Sequence, residues 1–179
     1  NAYGRSKLSG ERAILESGCK HLVLRTSWVY GLRGRNFLAT MLALAAAREE
    51  LRVVDDQRGA PTSSLFLAEA TARALRAIPA AGVASGIYHL SAAGETTWAG
   101  FARAIFERAA ARPGFRAPRV VPIATADYPT PARRPRYSVL SHRKFATAFG
   151  FEPDSWEAQL DACFAAMAAA SRASAWLLA

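Results

Sequence analysis

The sequence predicts an α/β chain, with a parallel sheet carrying helices on its faces. Three observations carry that expectation. Short runs of branched and aromatic residues alternate with segments of helical apolar period over residues 1–90. The connections between them are brief and punctuated by Gly, Pro and Asp, as in βαβ units. Hydrophobic residues make up 51% of the 179 and charged residues 21%. That balance excludes disordered and fibrous classes and leaves enough apolar surface for a real core.

Each element follows from its own pattern. Tyr3 to Ser17 reads as a helix on Leu8, Ala13, Ile14 and Leu15, stopped by Gly18. His21 to Tyr30 reads as one strand ending at Gly31, and Gly31 to Gly34 as a basic loop. Asn36 to Glu50 reads as a strong helix, with Asn36 placed to cap it. Leu51 to Asp55 is a strand, Asp56 to Pro61 a polar loop, and Thr62 to Ile78 a helix capped by Thr62 and closed by Pro79. Gly86 to Ser91 is a third strand, and Thr96 or Thr97 caps a helix from Trp98 to Ala111. Arg119 to Ile123 is strand-like. Three prolines between Tyr128 and Pro135 force an irregular segment there. Ser141 to Phe149 and Ser155 to about Met167 close the chain as helices.

Charge narrows the partners. There are 23 basic and 14 acidic residues, a formal net charge of +9. The arginines are scattered, with no run longer than Arg133-Arg134, whereas a nucleic-acid surface clusters its charge on one face. No nucleic-acid partner is expected. The most apolar stretch, Ala162 to Ala179, is broken by Ser171, Arg172 and Ser174 and falls short of the ~20 apolar residues a bilayer needs. Arg5, Lys7, Glu11 and Arg12 interrupt any signal-peptide core. No membrane partner is expected. Two distant cysteines, Cys19 and Cys163, match neither a metal spacing nor a disulfide framework, which points to a reducing, cytoplasmic setting.

Dinucleotide-binding α/β domains place a glycine-rich turn after their first strand. No G-x-G-x-x-G or G-x-x-G-x-x-G is present, and Gly31 and Gly34 lack the third glycine. The chain also opens at Asn1 in the middle of a helical pattern, so a fragment is expected. If it belongs to a dinucleotide enzyme, the phosphate-binding half lies outside these residues.

The first candidate for chemistry is Tyr3-Gly4-Arg5-Ser6-Lys7. A Tyr and a Lys spaced i, i+4 share one helix face. An ammonium beside a phenol stabilises the phenolate, which suits the tyrosine to give or take a proton. Taken alone, an incidental surface pair explains the spacing as well.

The ordered set of motifs says more. Tyr3-Gly4-x-Ser6-Lys7-Leu8-x-Gly10-Glu11 is followed by Arg25-Thr26-Ser27-Trp28-Val29-Tyr30, then by Asn36-Phe37 with Thr40-Met41-Leu42. Asp56-Gln57-x-Gly59-Ala60-Pro61-Thr62, Gly86-Ile87-Tyr88-His89-Leu90 and Thr97-Trp98 come next. Tyr128-Pro129-Thr130-Pro131-Ala132-x-Arg134-Pro135-x-x-Ser138-x-Leu140 completes the series. Over residues 1 to about 160 this series resembles the extended short-chain dehydrogenase/reductase family, and within it the branch of dTDP-4-dehydrorhamnose reductases.

The resemblance implies a partial Rossmann-type, doubly wound parallel sheet with a small C-terminal α/β substrate lobe. Residues 1–160 would form one incomplete reductase domain and 161–179 a helical tail. It implies NADPH or NADH as cofactor and a dTDP-sugar as substrate, whose 4-keto group is reduced in the last step toward dTDP-L-rhamnose. Tyr3 would protonate the forming alkoxide, and Lys7 would hold the nicotinamide ribose; both would touch the cofactor. The family's Ser or Thr partner lies upstream of the tyrosine and has no counterpart here.

Trp28 would lie beside the sugar, with a core aromatic at a strand end as the structural alternative. Thr26, two residues earlier on the same strand face, would help shape the site or be a buried hydroxyl bonded to backbone. Asn36 would approach the substrate as well as cap its helix. Gln57, Gly59 and Thr62 match the sugar-nucleotide loop, though a strand-to-helix turn accounts for them nearly as well. Arg134 would meet the diphosphate, while Arg133 and Arg136 depart from the pattern. Some relatives hold Mg²⁺ through glutamates at a dimer interface, but Leu65 stands at one such position, so no metal is expected. A homodimer is left open. His21, His89 and His142 are isolated and read as structural or surface residues. Another nucleotide-sugar epimerase, dehydratase or reductase of the family, and a non-catalytic regulatory relative, remain alternatives.

Overall fold

The computed structural model describes residues 2–81, 85–128, 130 and 134–176. The chain begins with helix α1, Ala2–Glu16, and then leaves it through Gly18 at φ +71. Strand β1, Leu22–Arg25, pairs in parallel with β6, Gly86–His89, matching Leu22 to Gly86 and Arg25 to His89. Strand β2, Val29–Tyr30, pairs in parallel with β5, Thr62–Ser63. Strand β3, Glu50–Val54, pairs in parallel with β8, Arg119–Ile123. One antiparallel pair joins β4, Arg58–Gly59, to β7, Thr96–Thr97. Among the described residues there are five further α-helices, α2 Phe37–Ala45, α3 Ser64–Ala81, α4 Trp98–Ala109, α5 Arg143–Phe149 and α6 Trp156–Trp176, and a short 3-10 helix at Thr125–Asp127. The α/β class and the parallel pairing are as the sequence predicts.

Two apolar clusters hold these elements. The larger gathers Leu38 and Met41 of α2, Leu51 and Val53 of β3, and Phe101 and Ile105 of α4, closed by Trp156, Leu160 and Cys163 of α6. Alternating burial along β3, with Leu51 and Val53 inward and Arg52 outward, is the two-residue period of a half-covered strand. The smaller cluster sits between α3, α5 and β6, around Ala70, Ala74, Tyr88, Leu90, Phe145 and Phe149. No described helix is long and apolar enough to cross a membrane.

Several predicted boundaries move, each for a local reason. The strand expected over 21–30 is two strands, because Trp28 takes φ +49 and turns the chain from the β6 side to the β5 side. The helix expected to Glu50 ends at Ala45, since Glu50–Val54 is claimed by pairing with β8 and Arg119 N–H donates to Glu49 O at 2.8 Å. Long-range pairing overrides local helix propensity there. Thr62 does not cap the following helix. It lies in β5, its hydroxyl donating to Ala60 O at 3.1 Å and accepting from Ala92 N at 3.1 Å. Ser63 is the cap, its Oγ accepting from Leu65 N at 3.1 Å. Helix α3 then runs past Pro79 to Ala81, and α6 runs past Met167 to Trp176. Pro129 and residues 131–133, with Arg133 among them, lie outside the described residues.

Candidate active site

Trp28 is the pivot of the site. It is the one non-glycine residue at positive φ among the described residues, a conformation that costs a large side chain of order 1–3 kcal/mol and persists only where its surroundings demand it. Those surroundings are visible. The indole stacks on Trp98 with centroids 3.5 Å apart and planes 6° from parallel. Gly59 presses against the same ring: a Cβ placed there would fall 2.3 Å from Trp28 Cε2. Only a glycine permits that approach. Trp28 O also accepts from Thr62 N at 3.2 Å, fastening the turn to β5.

Trp98 is held in turn. Thr97 Oγ1 accepts from Gly100 N at 2.9 Å, the cap that starts α4, and its hydroxyl donates to Asp55 Oδ1. Trp98 Nε1–H donates to Gln57 Oε1 at 3.2 Å, and Phe37 lies against the Trp98 ring at 4.8 Å. Gln57 is 6% exposed and donates through Nε2 to Thr125 Oγ1 at 3.0 Å. Thr125 donates onward to Asp56 Oδ1 at 2.5 Å. That hydrogen bond lowers the Asp56 carboxyl below its ordinary value. The result is a directed chain, indole to amide to hydroxyl to carboxylate, that fixes the orientation of the Gln57 amide. The carbonyl of Gln57 and one of its N–H groups are thereby engaged within the protein.

The proline-rich segment docks onto the same loop. Arg58 N donates to Arg136 O at 2.7 Å, and Ser138 N donates to Arg58 O at 2.9 Å. Glu95 closes the join, accepting from Arg58 Nη1 at 2.8 Å and from Tyr137 OH at 2.9 Å. The acceptor carboxylate raises the Tyr137 phenol. Arg134 is exposed and lies two residues before Arg136, whose carbonyl meets this loop.

Asn36 caps α2 and braces the loop before it. Its Oδ1 accepts from Ala39 N at 3.1 Å, and its Nδ2 donates to Gly31 O at 2.9 Å, closing the 31–35 loop. Thr26 is exposed, so the alternative of a buried hydroxyl does not hold. Tyr3 and Lys7 form a second group on α1. Lys7 Nζ stands 5.7 Å from the centroid of the Tyr3 ring, and the tyrosine is 71% exposed. The i, i+4 spacing therefore brings the ammonium over the Tyr3 ring. An ion pair connects this helix to the strand leading to Trp28: Arg25 donates to Glu11 at 2.8 and 2.5 Å.

Two open cavities, of about 610 and 560 Å³, lie elsewhere, beside α2 and the 114–118 loop and beside β3 and Tyr128. None of the predicted site residues lines either. Burial raises the thiol of Cys163 and the phenol of Tyr30, which meet inside the larger core. Cys19 and Cys163 are both free thiols. Sequence reasoning did not single out Asp55, Asp56, Glu95 or Thr125. Asp56 and Trp98 stood inside recognised motifs, but nothing local shows that Gln57 and Thr125 meet across 68 residues.

The family model described as RmlD substrate binding domain matches residues 1–169. The chain belongs to this RmlD family. The dTDP-4-dehydrorhamnose reductase of Burkholderia thailandensis is 48% identical over 170 residues, covering 91% of this chain and 57% of that protein. The crystal structure of dTDP-4-dehydrorhamnose reductase from Bacillus anthracis in complex with NADP aligns with a TM-score of 0.80 at 36% identity. It covers 92% of this chain and 54% of its own. A Clostridium acetobutylicum ortholog aligns with a TM-score of 0.82 at 34% identity, covering 93% and 56%. The RmlD chain described here spans about half the length of the curated relatives it matches. These likenesses agree with the Rossmann-type α/β reading of the sequence.

Proposed function

We propose that these residues form the substrate-binding and proton-donating part of an NAD(P)H-dependent reductase. Its substrate is dTDP-4-dehydro-6-deoxy-L-mannose, and its product dTDP-L-rhamnose. The observation that carries the reading is the Lys7 ammonium held 5.7 Å from the centroid of the exposed Tyr3 ring in a chain of this family. The similar Bacillus anthracis protein, crystallised with NADP, supports the cofactor class.

The donor set suits a nicotinamide ribose: an ammonium with three N–H donors beside a phenol, both on a solvent-facing helix. When bound, the cofactor supplies a hydride to C4 of the sugar. Tyr3 gives its hydroxyl proton to O4 as the carbonyl becomes an alkoxide, so ketone plus hydride plus proton yields the alcohol. Lys7 stabilises the phenolate left behind and hydrogen-bonds the ribose hydroxyls. Trp28 and Trp98 offer a rigid apolar wall to the sugar, and Arg134 a guanidinium to the diphosphate. The glycine-rich phosphate loop is assigned to a segment beyond these residues.

Turnover by the full-length protein tests the reading. NADPH consumption is expected with dTDP-4-keto-6-deoxy sugars and not with UDP- or GDP-linked ones. Epimerisation without net NADPH loss, or equal use of UDP sugars, contradicts it. The 179-residue chain alone is expected to bind NADPH no tighter than about millimolar, and micromolar binding would overturn the placement of the cofactor half.

A further inference from the structure

We propose that Asp56 and Thr125 are positioning residues for the tryptophan wall, acting through Gln57 on the indole of Trp98. This rests on the wall role given above to Trp28 and Trp98 and adds two residues to it.

Hydrogen-bond polarity leaves the series one arrangement. An indole N–H only donates, and an ionised carboxylate only accepts. Between those ends stand an amide and a hydroxyl, each able to face either way. The backbone N–H of Thr125 and its hydroxyl both donate to Asp56 Oδ1, at 2.9 and 2.5 Å. With its one proton committed, Thr125 Oγ1 can only accept, and it takes an N–H from Gln57 Nε2 at 3.0 Å. That turns Gln57 Oε1 toward Trp98, whose Nε1–H it accepts at 3.2 Å. Without an acceptor at position 56, Thr125 is free to donate to Gln57 instead. The amide then reverses, and its N–H face meets the indole N–H. Gln57 is 6% exposed, so a lost partner there is poorly replaced by water.

The groups come from elements fixed against one another within the described residues. Strands β3 and β8 are paired as far as Val54 and Ile123, and Asp55 N donates to Ile123 O at 2.9 Å. Asp56 and Gln57 follow the first strand, and Thr125 opens the 3-10 turn after the second. Asp55 accepts from Thr97, the cap of α4, so consecutive carboxylates hold consecutive residues. The first fixes where the helix starts, and the second fixes how the Trp98 ring is turned. The consequence passes to Trp28, stacked on that ring 3.5 Å away and 6° from parallel. So close a stack tolerates little ring rotation. A wall that meets the sugar equally in ground and transition states alters KM rather than kcat.

The experiment uses the full-length protein with Thr125→Val, Thr125→Ser, Asp56→Ala and Asp56→Asn. Valine keeps the shape of threonine without the hydroxyl, and asparagine keeps a carbonyl acceptor. Trp98→Phe identifies the coupled-indole circular dichroism signal. Thr125→Val and Asp56→Ala are expected to lose most of that signal, whereas Thr125→Ser and Asp56→Asn keep it. With dTDP-4-keto-6-deoxy sugar, the first two should raise KM about 3- to 10-fold, the effect of one hydrogen bond, with kcat within about threefold. Retention of the signal in both Thr125→Val and Asp56→Ala overturns the proposal. Equal loss in Thr125→Ser and Asp56→Asn also overturns it, because bulk rather than polarity would then hold the ring. If Thr125→Val does not fold, Asp56→Ala, altered at a half-buried side chain, decides. A KM raised by Trp98→Phe but by neither Thr125→Val nor Asp56→Ala overturns the positioning role. The dichroism needs no substrate, so it separates the two readings. Signal lost as expected, with KM unchanged even in Trp98→Phe, supports the hold on the ring and removes the wall from the sugar site.

Discussion

Helices α1 and α4 make opposite use of similar lengths of chain. Helix α4 buries seven of its twelve residues, among them Phe101 and Ile105 at 0% exposure. Helix α1 buries none of fifteen, and leaves Tyr3, Leu8, Ile14 and Leu15 between 42% and 71% exposed. The wall of the proposed sugar site, Trp98, begins the best-packed helix. Helix α1, which carries the proposed proton donor, is joined to β1 by the Arg25–Glu11 ion pair. Within the described residues the wall is thus held by close packing around a core and α1 by a directional ion pair.

Breaking the packed side is expected to have the largest effect on stability. Phe101 contacts the rings of Tyr30, Phe37 and Trp156. Phe101→Ala is expected to cost about 3–5 kcal/mol in urea unfolding, through lost burial and the cavity left behind. A cost near zero would mean the cluster around α4 is not the core. Gly59→Ala sharpens the comparison inside the site. The added Cβ would overlap the Trp28 ring, so the indole must leave its stack on Trp98. About 1–3 kcal/mol of overpacking is expected, with loss of the coupled-indole circular dichroism signal and a raised KM for the sugar nucleotide. Retention of that signal would show that the stack does not depend on Gly59.

Acid probes the other side. Hydrogen bonding by Arg25 lowers the Glu11 carboxyl below its ordinary 4.5. A carboxylate lowered by folding contributes stability above its unfolded value, and loses it as pH falls through the folded one. The protection factors of α1 amides in the full-length protein, which remove the intrinsic pH dependence of exchange, should therefore be constant above about pH 5 and fall below about 4, by no more than about fivefold. A fall that begins near neutral pH would point to a different anchor. The smallest effect is expected at Leu75, 56% exposed on α3. Leu75→Ala should change unfolding free energy by less than about 0.5 kcal/mol, against the several expected for Phe101. A larger cost would mean that this face is covered in solution.

Much of this was legible in the residues, and the failures have a common cause. Strand β8 lies at Arg119–Ile123 as its branched residues predict, and Thr97 caps α4 as its position before Trp98 suggests. The Tyr3–Lys7 contact follows from helical spacing alone. What stayed hidden depends on distant partners. The break at Trp28 requires Trp98 and Gly59 to meet its ring. The early end of α2 requires β8, and the fixed amide of Gln57 requires Thr125. Local pattern reports which face is apolar, but it does not report which remote side chain will claim a particular ring or amide. Arg25 and Glu11 each stood inside a recognised motif, yet their union across 14 residues is a tertiary fact.

One measurement bears most directly on the central claim: single-turnover NADPH oxidation by full-length protein carrying Tyr3→Phe, with saturating dTDP-4-keto-6-deoxy sugar. Loss of one hydroxyl from an exposed side chain should leave Tm and sugar-nucleotide binding unchanged while the rate falls by about 10²–10⁴-fold. A rate equal to wild type would show that the proton reaches the alkoxide from another donor.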